Sequence, residues 1–531
     1  MKKKIDKEFL KRFITVGSMV FLVLMVIIYF VQITRGFNFW DEFGHWGPMV
    51  KESLRLNKFY SVPESTLQRH KDYPPFFTML ELLWCYFNDS YSEGIIFVAT
   101  TTFSVSLFMP LFKKYGFNKK GIINSIITVA ILFFLLLTIG LTPNASDTAH
   151  FFNSVYMDWP MAIFLAFTFY LIYTDKKEFV DDLMISSCFV SLLMMKQMGL
   201  PFYLLCLFLL ILNRFVISDD KKFKIRYLLL FIIIPIAFYF GWDFYIKSVG
   251  LANYAQFKIS DISVSRMLEI VQNNGETNWQ TISFVNYLDA ILNRKLVVHP
   301  VSVSYFIYAI FISLCVLFTG YKDHKKWSIS ISYLLGSAGY ALAMMLLYCF
   351  CFGPSEGPQL ASFDRYLITY LFFGNCLLIY LLVDKYYDSL LILIVVLVLV
   401  LPFVEFEDLK NFNYRECLFG DNAIANYLDY PIEEDKQTLV IQQNIEDVND
   451  YAIFGYINGN NVDVYKFGIP EWEGDRTVNI DINEFNEFLG TYDYVYIESI
   501  NEYFDIYYNE TLHFVAGSLY KNSEGDFIRV N

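Results

Sequence analysis

The sequence predicts a polytopic α-helical membrane protein with about eleven transmembrane helices, followed by a C-terminal extracytoplasmic α/β domain. Of its 531 residues, 55% are hydrophobic and only 18% are charged, a combination that is rare in soluble proteins. Several apolar runs reach the ~17–25 residues that a helix needs to cross a bilayer. Since the composition turns soluble in character near residue 405, we predict a transmembrane domain over residues 1–404 and a soluble domain over 405–531.

The distribution of basic residues predicts the orientation of the spans, because Lys and Arg favour cytoplasmic helix ends. The first apolar run, Phe13–Gln32, follows a basic start and is too long for a signal peptide, so we interpret it as a retained anchor with a cytoplasmic N-terminus. This orientation places every basic loop inside and every long loop outside. The basic loops are 113–120, 176–177, 214–226 and 322–326, and the outward loops are 34–92, 142–159, 246–300 and 353–365.

The run Leu183–Leu212 tests this orientation, because it is long for one helix. As a single span it would move the basic residues of loop 214–226 to the outside, against the charge rule. Two short helices that meet near Gly199 and Pro201 keep them inside. We therefore predict a hairpin with Lys196 near its outer tip, where a charge is costly unless an anion or water receives it.

The C-terminal residues alternate between strand and helix patterns, which predicts a small α/β domain on the outer side. The predicted strands are Thr438–Gln442, Asn461–Phe467, Tyr492–Glu498 and Asp526–Val530, and the predicted helices are Asn449–Ile457 and Ile482–Gly490.

Net charge and cysteine spacing argue against nucleic-acid binding, a zinc site and a disulfide framework. The net charge is −13 and no basic face is apparent, so nucleic-acid binding is not expected. The eight cysteines form no CxxC pair, so neither a zinc site nor a disulfide framework is predicted.

The first outward loop begins with an acid pair, Asp41 and Glu42, beside Trp40 and among aromatic residues and glycines. A carboxylate here could accept the proton of an attacking hydroxyl. The alternative is an aromatic interfacial belt with solvated acids. For His45 a polar contact within the loop is the simpler interpretation.

The same loop later carries Arg69, His70 and Lys71 ahead of Tyr73-Pro74-Pro75. The prolines predict a sharp turn. The cations could bind substrate or form a basic turn at the lipid headgroups. The following Phe76–Phe87 is too short to span and is predicted to be an interfacial helix.

Three further charged residues are predicted at outer helix ends. Asp158 precedes Trp159-Pro160 and is either an N-cap or a substrate contact, two compatible interpretations. Lys196 and Arg365 would suit a lipid phosphate through charge-assisted hydrogen bonds, with snorkelling to the headgroups as the alternative, especially for Arg365.

The order of these motifs resembles the GT-C superfamily of integral-membrane glycosyltransferases, in particular its protein O-mannosyltransferase and aminoarabinose transferase branch. The resemblance covers roughly residues 10–400 and rests on five features in order: Asp41-Glu42, Tyr73-Pro74-Pro75, Tyr156-Met157-Asp158-Trp159-Pro160, Lys196-Gln197-Met198-Gly199 and Arg365-Tyr366. It implies inverting transfer of a sugar from a polyprenyl-phosphate donor to a cell-envelope glycan, lipid or protein at the outer face of the plasma membrane.

The resemblance also implies residue roles. Asp41 would be the general base with Glu42 in support, and Asp158 would position donor or acceptor. Lys196 and Arg365 would hold the donor phosphate. The remaining predicted substrate contacts are His45, Arg69, His70 and Tyr73.

Members of the superfamily differ in metal dependence. Asp41 together with Asp158 would be the acids available to a divalent ion, but no metal ligand or other cofactor is assigned. The alternative functions are a transporter or flippase of envelope lipids, for which internal symmetry would be expected, and a non-catalytic subunit of polysaccharide assembly.

Overall fold

The chain forms two compact units in the computed structural model. The first contains Met1–Arg35 and Asp72–Asn413, and the second contains Gly36–Lys71 and Tyr414–Asn531. Part of loop 34–92, predicted to face outward, therefore groups with the C-terminal residues. The predicted boundary at residue 404 lies outside the described residues, which are 14–37, 39, 41–67, 70–88, 91–140, 154–218, 224–251, 264–272, 278–298, 301–320, 322–386, 432–433, 436–443, 455–456, 462–469, 477–523 and 525–530.

The described part of the first unit is built from helices and one short β-hairpin. In chain order, and including α2 of the second unit, the helices are α1 (Val16–Gln32), α2 (Gly47–Leu56), α3 (Phe76–Asn88), α4 (Glu93–Leu107), α5 (Lys119–Gly140), α6 (Asp158–Thr174), α7 (Phe179–Met195), α8 (Gly199–Ile217), α9 (Ile225–Ser248), α10 (Val264–Gln272), α11 (Trp279–Asn293), α12 (Tyr305–Phe318), α13 (His324–Phe350), α14 (Gly353–Gln359) and α15 (Phe363–Tyr386). The hairpin pairs β1 (Leu296–Val298) with β2 (Val301–Val303) in antiparallel register.

Several of these helices have the length and composition of membrane spans. Among the described residues, α8, α9, α13 and α15 are long and apolar enough to cross a bilayer, and α1, α4, α6 and α12 are shorter apolar helices. The chain is therefore a membrane protein. The count of eleven spans stays a prediction, as does the side of the membrane on which each loop lies.

The predicted hairpin at Lys196 is confirmed. Helix α7 ends at Met195, Lys196 adopts an extended backbone with φ −160° and ψ 162°, and α8 begins at Gly199. The chain reverses here, since the rings of Phe189 on α7 and Tyr203 on α8 lie 5.3 Å apart between centroids. The turn requires glycine, because a Cβ at residue 199 would lie 1.8 Å from the carbonyl oxygen of Leu192.

The two open ends of this hairpin are joined by buried ion pairs. Arg214, at the end of α8, lies 2.8 Å from Asp175 and 2.6 Å from Asp182, which is in the first turn of α7. Arg226, at the start of α9, lies 2.6 Å from the second oxygen of Asp182. The basic residues of loop 214–226 thus return to the end of the unit that carries Lys177, whose carbonyl accepts a hydrogen bond from Arg226.

Other basic loops gather at this same end of the first unit. Lys114 lies 3.0 Å from Asp384, near the end of α15. Lys325, near the start of α13, donates to the carbonyl of Tyr173 at the end of α6. As the sequence predicted, these basic loops lie together, at one end of the first unit.

The second unit contains a mixed six-stranded sheet. Its strands are β3 (Thr438–Gln442), β4 (Val462–Phe467), β5 (Thr477–Val478), β6 (Tyr494–Ser499), β7 (Ser518–Ser523) and β8 (Asp526–Arg529), in the order β5-β4-β3-β6-β7-β8. The neighbouring pairs β5–β4, β4–β3 and β3–β6 are parallel, whereas β6–β7 and β7–β8 are antiparallel. Every residue of β3 is buried, as expected for a central parallel strand covered on both faces.

Two helices, α16 (Ile482–Leu489) and α17 (Glu502–Tyr507), complete the described part of this domain. The capping box of Asp481 and Glu484 begins α16, and Phe485 and Leu489 pack into the core. The four predicted strands and the helix over 482–490 are confirmed within two residues at each end. Strands β5 and β7 and helix α17 were not predicted, and most of Asn449–Ile457 lies outside the described residues.

Candidate functional site

The hairpin tip and two helix starts bring three of the predicted site residues together in the first unit. Asp158 is the first residue of α6, Lys196 lies between α7 and α8, and Arg365 lies in the first turn of α15. The ammonium nitrogen of Lys196 is 3.1 Å from Oδ1 of Asp158. Nε of Arg365 is 3.9 Å from Oδ2 of the same carboxylate. We call these three residues the charged triad.

The charged triad is largely removed from solvent. The side chains of Asp158, Lys196 and Arg365 are 6%, 15% and 10% exposed. With one carboxylate and two cations, the triad has a formal charge of +1. A charge held in such a setting is costly unless it is paired, so the triad favours the approach of one further anion.

Aromatic rings surround the cations of the triad. The guanidinium of Arg365 lies 4.6 Å from the ring centroid of Tyr156 and 4.9 Å from that of Tyr366, and it donates to the Tyr366 hydroxyl over 3.1 Å. The ammonium of Lys196 lies 5.7 Å from the Tyr366 ring. These contacts hold both cations in place without neutralising them.

Helix direction adds to the positive potential at this point. Asp158 and Arg365 lie in the first turns of α6 and α15, where backbone N–H groups lack intrahelical partners and the helix dipole is positive, and Lys196 lies between the C-terminus of α7 and the N-terminus of α8. Phosphate and carboxylate groups commonly bind at such helix ends. The arrangement is therefore suited to a compact anion.

The acid pair lies in the second unit, at the start of a π-helical turn, Glu42–Trp46, that continues into α2. Asp41 is partly exposed and Glu42 is fully buried. Oε2 of Glu42 accepts the backbone N–H of Phe39 over 3.0 Å. Glu42 thus closes the turn on which Asp41 lies. Turns of this type recur at functional sites.

Two of the predicted substrate contacts, His45 and His70, meet in the second unit. His45 is buried, and its ring centroid lies 4.6 Å from those of both Trp46 and His70. His70 has φ 61°, a conformation unusual for a residue other than glycine. Tyr73 belongs to the first unit, just before α3, whereas Arg69 and Trp40 lie outside the described residues.

The first loop also contains an ion pair that the sequence motifs did not predict, between buried Glu52 and exposed Arg55. Both carboxylate oxygens of Glu52 accept from Arg55, over 2.7 and 2.9 Å, and one also accepts the backbone N–H of Thr66 over 2.8 Å. Burial alone would raise the pKa of Glu52, but these hydrogen bonds and the Arg55 charge hold that pKa below its usual value. The Glu-x-x-Arg spacing on a helix was the available signal.

This ion pair influences a neighbouring cation. Lys71 donates to the carbonyl of Ser65 over 2.6 Å. Partial burial lowers the pKa of Lys71, and the charge of Glu52 opposes that shift. Together these contacts connect Thr66 to Glu52 and Ser65 to Lys71 in the loop after α2.

Within the described ranges, no group of three or more His, Cys, Asp or Glu side chains is placed to hold a metal ion. The two acids considered for such a site, Asp41 and Asp158, belong to different units.

The sequence matches no known family profile and no curated protein. Among solved structures, the chain is similar to ArnT from Cupriavidus metallidurans, both bound to undecaprenyl phosphate and in the apo state. For the bound structure the identity is 11%, for the apo structure 10%, and in each case the match covers 96% of this chain and 97% of that chain with a TM-score of 0.44. A structure of the Archaeoglobus fulgidus oligosaccharyltransferase, tethered with an acceptor peptide, matches at 13% identity over 84% of this chain and 64% of that chain, with a TM-score of 0.29.

These structures come from the GT-C superfamily of membrane glycosyltransferases that the ordered sequence motifs resemble.

Proposed function

We propose that this protein is an inverting membrane glycosyltransferase. It would transfer a sugar from a polyprenyl-phosphate-linked donor to a cell-envelope acceptor on the outer face of the membrane, with Asp41 as general base. The observation that carries the proposal is the charged triad, a buried cluster of formal charge +1 at the N-terminal ends of helices in a membrane protein.

The donor phosphate is the natural occupant of the triad. Lys196 and Arg365 can each give charge-assisted hydrogen bonds to phosphate oxygens, and Arg365 can do so through two parallel N–H groups. Asp158 keeps the two cations oriented before the lipid arrives, so little side-chain freedom remains to be lost on binding. The apolar helices around the site suit a polyprenyl tail that stays within the bilayer.

In the proposed reaction, an acceptor hydroxyl attacks the anomeric carbon of the sugar. A bond forms between the acceptor oxygen and that carbon as the bond from the carbon to the phosphate oxygen breaks. Asp41 takes the hydroxyl proton, and the polyprenyl phosphate leaves as an anion. Lys196 and Arg365 stabilise the charge that develops on the leaving phosphate, which lowers the barrier to the step.

The remaining residues would bind or position substrate. Glu42 holds the turn that carries Asp41, and Asp158 orients the two cations. His45, His70, Arg69 and Tyr73 would contact the sugar or the acceptor.

The test is sugar transfer by the full chain in reconstituted membranes supplied with a panel of polyprenyl-phosphate sugars. Undecaprenyl phosphate, the lipid bound in one of the ArnT structures, defines the lipid class for the panel. Removal of a general base typically costs about 10²- to 10⁴-fold in rate, so Asp41→Asn should lose that much turnover. Asp526→Asn, an exposed acid in β8, is the matched control and should keep the wild-type rate.

Three results would contradict the proposal. Transfer at the normal rate by Asp41→Asn would remove Asp41 as the base. Movement of labelled lipid across the membrane without transfer would identify a flippase instead. Glycan binding without either activity would identify a non-catalytic assembly subunit.

A further inference from the structure

Tyr456 of the C-terminal residues packs into the first loop, within the second unit. Its ring centroid lies 5.6 Å from that of Phe37 and 5.3 Å from that of Phe43, and all three rings are buried. Lys51 donates to the carbonyl oxygen of Tyr456 over 2.5 Å, and its ammonium lies 4.7 Å from the centre of the Tyr456 ring.

These contacts fall on both sides of the acid pair. Phe37 precedes Asp41 by four residues, Phe43 follows it by two, and the carboxylate of Glu42 ties the turn to the backbone of Phe39. The rings of Phe37 and Phe43 also touch each other, with centroids 5.8 Å apart. Tyr456 therefore closes an aromatic cluster whose other two members flank Asp41.

The cluster has little room to rearrange. A Cβ placed on Gly47 would lie 2.1 Å from Cε2 of Phe37, so the start of α2 packs directly on that ring. Phe37 is thus held by α2 on one side and contacts Tyr456 as well. Loss of the Tyr456 ring would leave a gap beside Phe37 and Phe43 that this close packing cannot fill without moving the turn.

We propose that Tyr456 is a positioning residue, by which the C-terminal domain fixes the conformation of the turn that carries Asp41 and Glu42. Its catalytic consequence rests on the proposed function, in which Asp41 is the base. Its structural consequence does not, and the two can be measured separately.

The structural consequence is tested by amide hydrogen exchange of the full-length protein in nanodiscs. In Tyr456→Ala, exchange across Glu42–Val50 should rise roughly tenfold, as expected for the loss of two aromatic contacts. Tyr456→Phe keeps the ring and should exchange like the wild type. Tyr507→Ala removes an exposed tyrosine from the same unit and should also leave this segment unchanged.

The catalytic consequence is tested by sugar transfer with the same variants. Tyr456→Ala should lower kcat about tenfold and leave the KM for the lipid donor unchanged, since the charged triad keeps all of its residues. Tyr456→Phe should restore kcat.

Unchanged exchange in Tyr456→Ala would overturn the proposal, and so would faster exchange with a normal kcat in an assay where Asp41→Asn loses its turnover. A wild-type protein that transfers no sugar would refute the proposed function instead, and the exchange result would then decide the role of Tyr456 in the turn.

Discussion

Replacing Lys196 by methionine should weaken binding of polyprenyl phosphate without unfolding the protein. The substitution keeps most of the length and apolar character of the side chain while removing its charge. The charged triad then falls from a formal charge of +1 to 0, because the Asp158 carboxylate balances the remaining Arg365. The local attraction for an anion is lost.

The magnitude follows from the geometry of the triad. Two unit charges about 4 Å apart interact by about 4 kcal/mol at an effective dielectric constant of about 20. Desolvation offsets part of this attraction, and hydrogen bonds to charged groups contribute a net of about 1.5–3 kcal/mol. Since about 1.4 kcal/mol corresponds to a factor of ten, Lys196→Met should raise the Kd for undecaprenyl phosphate about 10- to 150-fold.

The assay is titration of the purified protein in nanodiscs with a fluorescent undecaprenyl phosphate. Lys113→Met is the matched control, because it makes the same chemical change at the opposite end of the first unit, where Lys113 donates to the Tyr170 hydroxyl. We expect the control to bind like the wild type. A folded Lys196→Met protein with an unchanged Kd would refute the assignment of Lys196 to the phosphate.

Three further predictions concern buried charges. Asp158→Asn leaves two cations without a carboxylate, so the unliganded variant should melt at a lower temperature than the wild type. Its Tm should also rise more than that of the wild type when undecaprenyl phosphate is saturating. Equal rises in Tm would contradict the net-charge argument. Arg214→Met strips Asp182 of one of its two basic partners and should destabilise the first unit by about 3–5 kcal/mol, measured as a fall in Tm; an unchanged Tm would show that these ion pairs do not hold the hairpin. Glu52→Gln should lower the free energy of unfolding by about 1–3 kcal/mol at neutral pH, because it weakens the hydrogen bonds with Arg55. Since the pKa of Glu52 is depressed in the folded state, the difference in stability between variant and wild type should shrink as the pH falls below about 4. A stability difference that does not change with pH would refute the charge-based explanation.

Charge bias and hydropathy correctly predicted the hairpin at Lys196 and the clustering of the basic loops at one end of the first unit. The hairpin at Lys196 followed from one requirement, that the basic residues after Arg214 return to the side of Lys177, and the ion pairs around Asp182 show that they do. Such rules work here because a bilayer leaves a chain few alternatives: backbone groups must be satisfied within helices and charges must lie near their ends.

Short-range patterns predicted less of the second unit. Strand β3 was predicted with its bounds because three consecutive apolar residues, Leu439–Ile441, lie between two polar ones. Strand β7 was missed because Ser518–Ser523 has polar residues at four of its six positions and pairs with β6 through contacts distant in sequence. Helix α17 has only six residues and is held by Phe504 in the core, which no local pattern reveals.

In the candidate site, too, the sequence indicated individual residues but not how they come together. Asp158, Lys196 and Arg365 could be singled out because each is a charge at the end of an apolar segment, where a charge needs a reason. Their convergence on one carboxylate depends on how α6, the hairpin and α15 pack, which the sequence does not state. Tyr456 gave no signal at all, since a tyrosine in a polar region is unremarkable until its ring is seen between Phe37 and Phe43.

The most direct test of the lipid-phosphate site is an experimental structure of the protein in nanodiscs with undecaprenyl phosphate. We predict density for the phosphate within hydrogen-bond distance, about 3 Å, of both the Lys196 ammonium and the Arg365 guanidinium, beside Tyr366. The account would be contradicted by phosphate density at the opposite end of the first unit, among Lys113, Lys114 and Lys177, with Lys196 and Arg365 still paired with Asp158.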